Sequence, residues 1–70
     1  MRVNEEAFNL GVRKLLKTFG VTAQREIEKA VDQGLRGGAL SGIEKLKARA
    51  VLTVEGLPLR VEVEGEIPLA

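Results

Sequence analysis

Cysteine and histidine are both absent from this chain of only 70 residues. A domain of that size buries about 60% of the surface that its unfolded chain exposes, so its core alone gives marginal stability. Comparable domains gain stability from disulfides, a bound metal or a partner subunit. The missing residue types exclude disulfides and leave only oxygen ligands for a metal. We therefore expect residues 1–70 to form one small domain that is stabilised by self-association.

The N-terminal part of the sequence predicts a helix. Its apolar residues recur at spacings of three and four, as on one side of a helix; they are Phe8, Val12, Leu15, Leu16 and Phe19. Asn4 is suited to cap the start, because its side chain can accept a hydrogen bond from the first turn. Gly20 is a typical stop. These signals predict a first helix at about 5–19.

A second helix is expected at about 23–36, after Thr22 as its cap. The Gly37-Gly38 pair ends it, and a glycine-rich linker follows at 37–47. Within this linker, the stretch from Ser41 to Glu44 matches a capping box, the pattern of a helix start. One short helical turn and a mobile linker are therefore both open interpretations.

The last third of the sequence alternates between apolar and polar residues, which is typical of strands with one buried face. A chain reversal at Glu55-Gly56 predicts an antiparallel hairpin at about 48–67. The pattern favours a register in which Leu52 lies opposite Leu59, because a slip of one residue would place apolar side chains opposite polar ones. A four-residue loop at 54–57 keeps the same register.

The predicted fold class is α+β, with two N-terminal helices packed on a C-terminal antiparallel β-hairpin in the order α-α-β-β. A lone hairpin is marginally stable, and its edges are open to pairing with another chain. The hairpin either lies under both helices or joins a second copy in a four-stranded sheet. We favour the second arrangement, a homodimer.

The segment "GVTAQREIEKAV" at 20–31 resembles the turn and second helix of a helix-turn-helix. Arg25, Lys29 and Arg36 would form a basic ridge within about 40° on that helix. However, Glu26 occupies a position that is usually apolar in such motifs, and the net charge of the chain is only +1. A nucleic-acid-binding regulator of helix-turn-helix or winged-helix type that uses this ridge is therefore the alternative function, and an ordinary solvated helix face is favoured.

The sequence has few of the residue types that catalysis uses, because histidine, cysteine and tyrosine are absent. The glycine-rich linker lacks the Gly-Lys-Ser/Thr ending of a phosphate-binding loop. Glu62, Glu64 and Glu66 alternate along one strand face, which we interpret as a solvated surface rather than a metal site. We expect no enzyme activity, cofactor or metal.

Leu10 projects away from the apolar side of the first helix, among charged residues. It is a candidate partner contact if Val3 or Leu69 lies beside it. No run approaches the roughly 18 apolar residues of a membrane span, and the N-terminus lacks the order of a signal peptide. We therefore expect a cytoplasmic protein that does not enter a membrane.

Five segments, in order, resemble a family of short bacterial proteins of unknown function: "EEAFN", "VRKLLK", "GVTAQREIEKAV", "LTVEGL" and "VEGEI". The resemblance covers most of the chain outside 37–47. It implies a bacterial cytoplasmic protein and carries no activity, ligand or functional residue. The expected function is a non-catalytic interaction or accessory module.

Overall fold

The computed structural model describes residues 3–70, which form one helix followed by one hairpin. Helix α1 spans Glu5–Arg36, strand β1 spans Lys45–Thr53 and strand β2 spans Arg60–Pro68. The two strands pair antiparallel in a two-stranded sheet. The α+β class is confirmed. The expected pair of helices is wrong, because a single helix of 32 residues takes their place.

The two ends of α1 have the expected capping residues. The Asn4 Oδ1 atom accepts a hydrogen bond from the backbone N–H of Ala7 at 3.1 Å, which satisfies a donor that has no partner within the helix. At the other end, Gly37 caps the helix, and its N–H donates to the Gln33 carbonyl at 2.9 Å. The predicted start of the first helix and the predicted end of the second are therefore the ends of α1.

The helix continues through the segment 20–22, where a turn was expected. Gly20 does not have the positive φ that a glycine helix stop adopts. A glycine inside a helix costs only about 1 kcal/mol relative to alanine. The apolar series also continues without a break from Phe19 to Ala23, four residues later. Continuation of the helix keeps Ala23 and Ile27 on the side of Leu16 and Phe19, and this outweighs the cost of Gly20.

Gly20→Ala is expected to raise the free energy of unfolding by about 0.5–1 kcal/mol, because alanine restricts the unfolded chain and suits a helix interior. Open space surrounds the position where the new methyl group would lie. Urea denaturation measures the change. In the matched variant Gly34→Ala, the new carbon would lie 2.8 Å from Cδ1 of Leu40, so no such gain is expected. Loss of stability in Gly20→Ala would show that a turn forms there.

The hairpin pairs in a register two residues away from the expected one. Leu52 lies opposite Val61 rather than Leu59, and the pairing ends at Thr53 and Arg60. The reason lies in the loop, where Pro58 has no N–H to donate to a strand ladder. Because the shift is an even number of residues, every side chain stays on its predicted face.

The predicted reversal at Glu55-Gly56 is confirmed. The Leu57 N–H donates to the Val54 carbonyl at 3.2 Å, and Gly56 has a φ of 85°. A positive φ at the third residue of a four-residue turn is the pattern of type II, which glycine adopts without strain.

The segment between α1 and β1 folds back on the end of the helix. The Leu40 N–H donates to the Gly34 carbonyl at 3.0 Å, and the Leu40 side chain lies where a side chain at Gly34 would be. No helical turn follows Ser41, so that interpretation of the capping box is wrong. Strand β1 begins at Lys45, inside the predicted linker.

The hairpin lies along the C-terminal half of α1. Ala48 of β1 lines a cleft together with Ala23 and Ile27 of α1. Further along, Ile67 of β2 lines a second cleft with Ile27 and Val31. Four of these side chains are partly buried: Ala23, Val31, Ala48 and Ile67. These two clefts mark the seam between helix and hairpin.

The seam does not form a complete core. None of the described hydrophobic residues is buried, and the chain exposes 6461 Å² of surface. A compact monomer of 7.6 kDa would expose about 4,300 Å². The excess of about 2,200 Å² is the surface that an isolated chain leaves in water.

Candidate interaction surface

The largest apolar surface on α1 lies in its first half. We define the N-terminal stripe as five residues: Phe8, Val12, Leu15, Leu16 and Phe19. Their exposed fractions range from 40% for Val12 to 52% for Phe19. Lys14 and Lys17 lie on the opposite side of the helix and Arg13 lies about 60° from Leu16, at the edge of the stripe, because successive residues are separated by about 100°. A contiguous apolar surface with charges kept to the far side is typical of a contact with another chain.

The stripe belongs to the same side of α1 that the hairpin covers further along. Phe19 lines the cleft beside Ala48 and Ala50, so the hairpin meets the stripe only at its C-terminal end. The other four stripe residues lie before the seam; they are Phe8, Val12, Leu15 and Leu16. Among the described residues, the hairpin therefore flanks this side of α1 from Phe19 onward and leaves the part before Phe19 without a neighbouring element.

The outward face of the hairpin carries alternating charges. In the observed register, Lys47 lies opposite Glu66 and Arg49 lies opposite Glu64. Glu62 forms an ion pair with Arg60 on the same strand. Each of the three glutamates is therefore next to a cation, as on a solvated sheet face. No group of three or more described Asp, Glu, Cys or His residues could hold a metal ion.

The basic ridge lies on the second half of α1, without the preceding turn that a helix-turn-helix requires. Lys29 Nζ lies 3.3 Å from Glu26 Oε2, and Arg36 Nε lies 3.2 Å from Asp32 Oδ2. These carboxylates neutralise part of the positive charge that phosphate binding uses. Binding of nucleic acid by Arg25, Lys29 and Arg36 stays a prediction, whereas the helix-turn-helix geometry behind it is wrong.

Leu10 is the most exposed of the large apolar side chains on α1, at 68%. It lines a shallow depression together with Glu6, Asn9 and Arg13. Leu69 does not join it, because Leu69 lies beside Ile27, about 25 Å further along the helix. A role for Leu10 as a contact for another protein stays a prediction.

The Glu44 carboxylate accepts hydrogen bonds from the backbone of the loop that precedes β1. The carboxylate accepts backbone N–H groups from Ser41 at 2.9 Å, Gly42 at 2.9 Å and Ile43 at 3.1 Å. The Ser41 N–H is the main cause of a pKa of about 2 for Glu44, against an ordinary value of 4.5. The carboxyl group is thus a structural clamp on its own loop. The capping-box pattern therefore predicts the hydrogen bond from the Ser41 N–H to the Glu44 carboxylate correctly, although no helical turn follows it.

Glu44→Gln is expected to make the stability of the protein less dependent on pH, because the variant lacks the carboxylate of this clamp. Because folding lowers the pKa, the clamp stabilises the protein above pH 4.5, and this stabilisation is lost as the pH falls toward 2. The difference between the thermal midpoints at pH 6 and at pH 2.5 should therefore be smaller for the variant than for the natural sequence. An NMR titration of Glu44 with a midpoint near 4.5 would contradict the clamp.

The sequence matches the model of a protein family that has no assigned activity. The model of a family of unknown function, DUF6494, matches residues 3–70. The chain belongs to DUF6494. A search of curated proteins and a search of solved structures found no match. Within the described part of the DUF6494 chain, no helix has both the length and the apolar character needed to cross a membrane.

The feature that sequence reasoning missed is the continuity of the apolar side. Phe8, Phe19 and Ala30 follow one another at intervals of 11 residues, as do Val12, Ala23 and Gly34. An 11-residue interval corresponds to about 3.67 residues per turn, close to the α-helical period. This repeat runs through Gly20 and is the signal that predicts one long helix.

Proposed function

We propose that this protein is a non-catalytic interaction module that works as a homodimer. The observation that carries the proposal is the exposed surface of 6461 Å², against about 4,300 Å² for a compact monomer of this mass. Two copies would together have about 4,400 Å² of excess surface to remove. Obligate dimer interfaces bury about 2,000–5,000 Å² in total, so one partner copy suffices.

The chemistry of the described residues supports an interaction role over catalysis. Histidine, cysteine and tyrosine are absent from the sequence. Glu44 has a lowered pKa, but its carboxylate oxygens are engaged by the N–H groups of its own loop. A carboxylate used in that way stabilises a loop and is not free to act as an acid or base.

We assign the module to the bacterial cytoplasm. The resemblance to short bacterial proteins supports the source. The absence of cysteine is compatible with a reducing compartment, where disulfides do not supply stability. In such a protein, mass action with a second copy replaces covalent cross-links as the source of stability.

Light scattering of the purified chain, measured across a range of concentrations, tests the proposal. A molar mass of about twice 7.6 kDa is expected, together with a thermal midpoint that rises with protein concentration. A mass of 7.6 kDa with a concentration-independent, cooperative melt would overturn the homodimer, because the isolated chain would then be stable by itself. Repeating the measurement with duplex DNA at low salt tests the basic ridge on the same sample.

A further inference from the structure

We propose that the two copies of this homodimer pair through the N-terminal stripe, with their helices antiparallel. The inference rests on the proposed homodimer and specifies one of the surfaces that form its interface. The occupant of the stripe is the same stripe of a second copy. Three properties of the described residues lead to this arrangement: the symmetry of the stripe, the position of the hairpin and the location of the charges.

Four of the five stripe residues have the same spacing in both directions along the helix, and the fifth, Leu16, would lie opposite Gly11 of the second copy. Phe8, Val12, Leu15 and Phe19 are separated by four, three and four residues. A two-fold axis midway between residues 13 and 14 therefore places Phe8 opposite the partner's Phe19 and Val12 opposite the partner's Leu15. Each end of the contact then has one aromatic pair, an arrangement that adds to the stability from buried area.

The hairpin excludes the parallel alternative. It flanks α1 from Phe19 to Ile27, where these two residues and Ala23 line a cleft with it on the continuation of the same apolar side. In a parallel pair, the two hairpins would occupy the same space between the helices. In an antiparallel pair, the overlap is limited to residues 8–19, and the two hairpins lie beyond its opposite ends.

The charges of α1 are compatible with this contact. Lys14 and Lys17 lie on the side opposite the stripe and Arg13 lies at its edge, so pairing leaves all three charges in water. The contact therefore buries apolar groups without burying a charge.

Spin-label distances test the arrangement, and the natural absence of cysteine allows single labelling sites. Gln33→Cys carries the first label, at an exposed position near the end of α1. With the two-fold axis between residues 13 and 14, the two copies of this site are separated by about 60 Å along the helices, at 1.5 Å per residue. A parallel pair would give a distance below about 30 Å.

Arg13→Cys carries the second label, near the two-fold axis. Its two copies lie nearly level along the helices, so a distance of about 20–30 Å is expected from the helix separation and the label arms. The long distance at residue 33 together with the short distance at residue 13 is specific to antiparallel pairing of the stripe. Pairing through the hairpin edges separates the helices and would not give this combination.

Light scattering on the labelled samples separates the two proposals. A dimer with the expected pair of distances supports both. A dimer with a short distance at residue 33, or a long one at residue 13, overturns the antiparallel stripe and leaves the homodimer in place. A monomer with normal helix content by circular dichroism overturns the homodimer and, with it, the stripe contact.

Discussion

Replacing Leu15 with glutamate is expected to dissociate the homodimer and to remove most of its cooperative thermal unfolding. The substitution places a carboxylate at the centre of an apolar contact, and the two-fold axis places it there twice. Each buried, unpaired charge costs several kcal/mol. Since 1.4 kcal/mol corresponds to a factor of ten, self-association should weaken by more than about 100-fold. Light scattering gives the mass, and circular dichroism gives the helix content during heating.

Leu10→Glu is the matched control, because it makes the same change on the same helix. Leu10 is 68% exposed and projects away from the stripe. This variant is expected to stay dimeric with a thermal midpoint close to that of the natural sequence, since exposed substitutions usually change stability by less than about 0.5 kcal/mol. Dissociation by both variants, or by neither, would contradict a contact through the stripe.

The sequence predicts the local features of this fold well, since each depends on neighbouring residues. The Asn4 cap needs only its own side chain and the N–H of Ala7. The alternation of apolar and polar residues gives the hairpin two different faces. A shift of the strand register by two residues leaves every side chain on its predicted face. The helical spacing from Phe8 onward likewise places the stripe on one side of α1. These properties follow from chain geometry before any packing is known.

The features that the sequence did not predict depend on competition between nearly equal energies. Gly20 costs about 1 kcal/mol in a helix, and this is small enough for a continuous apolar side to decide the outcome. The hairpin register likewise depends on Pro58, which delays the pairing to Arg60. The candidate surface depends on where the hairpin ends along α1, and only the three-dimensional arrangement shows that Phe8 and Val12 lie beyond it.

Ala48→Asp is expected to lower the free energy of unfolding by about 2–3 kcal/mol, because it places a short carboxylate in the seam between α1 and the hairpin. Ala48 is partly buried and lines the cleft beside Ala23 and Ile27. Aspartate is too short to carry its charge out of this seam. For a domain of this size, the thermal midpoint should fall by about 10–20 °C. Thermal melts followed by circular dichroism measure the change.

Thr53→Asp is the control for Ala48→Asp, since it introduces the same residue into the same strand. Thr53 lies on the outward face opposite Arg60, where a carboxylate has both water and a cation nearby. The poor strand propensity of aspartate applies to both variants, so a loss within about 1 kcal/mol is expected for Thr53→Asp. Equal losses in the two variants would show that strand propensity, and not the seam, determines the effect. A larger loss at Ala48 would show that the stability of the hairpin depends on its contact with the helix.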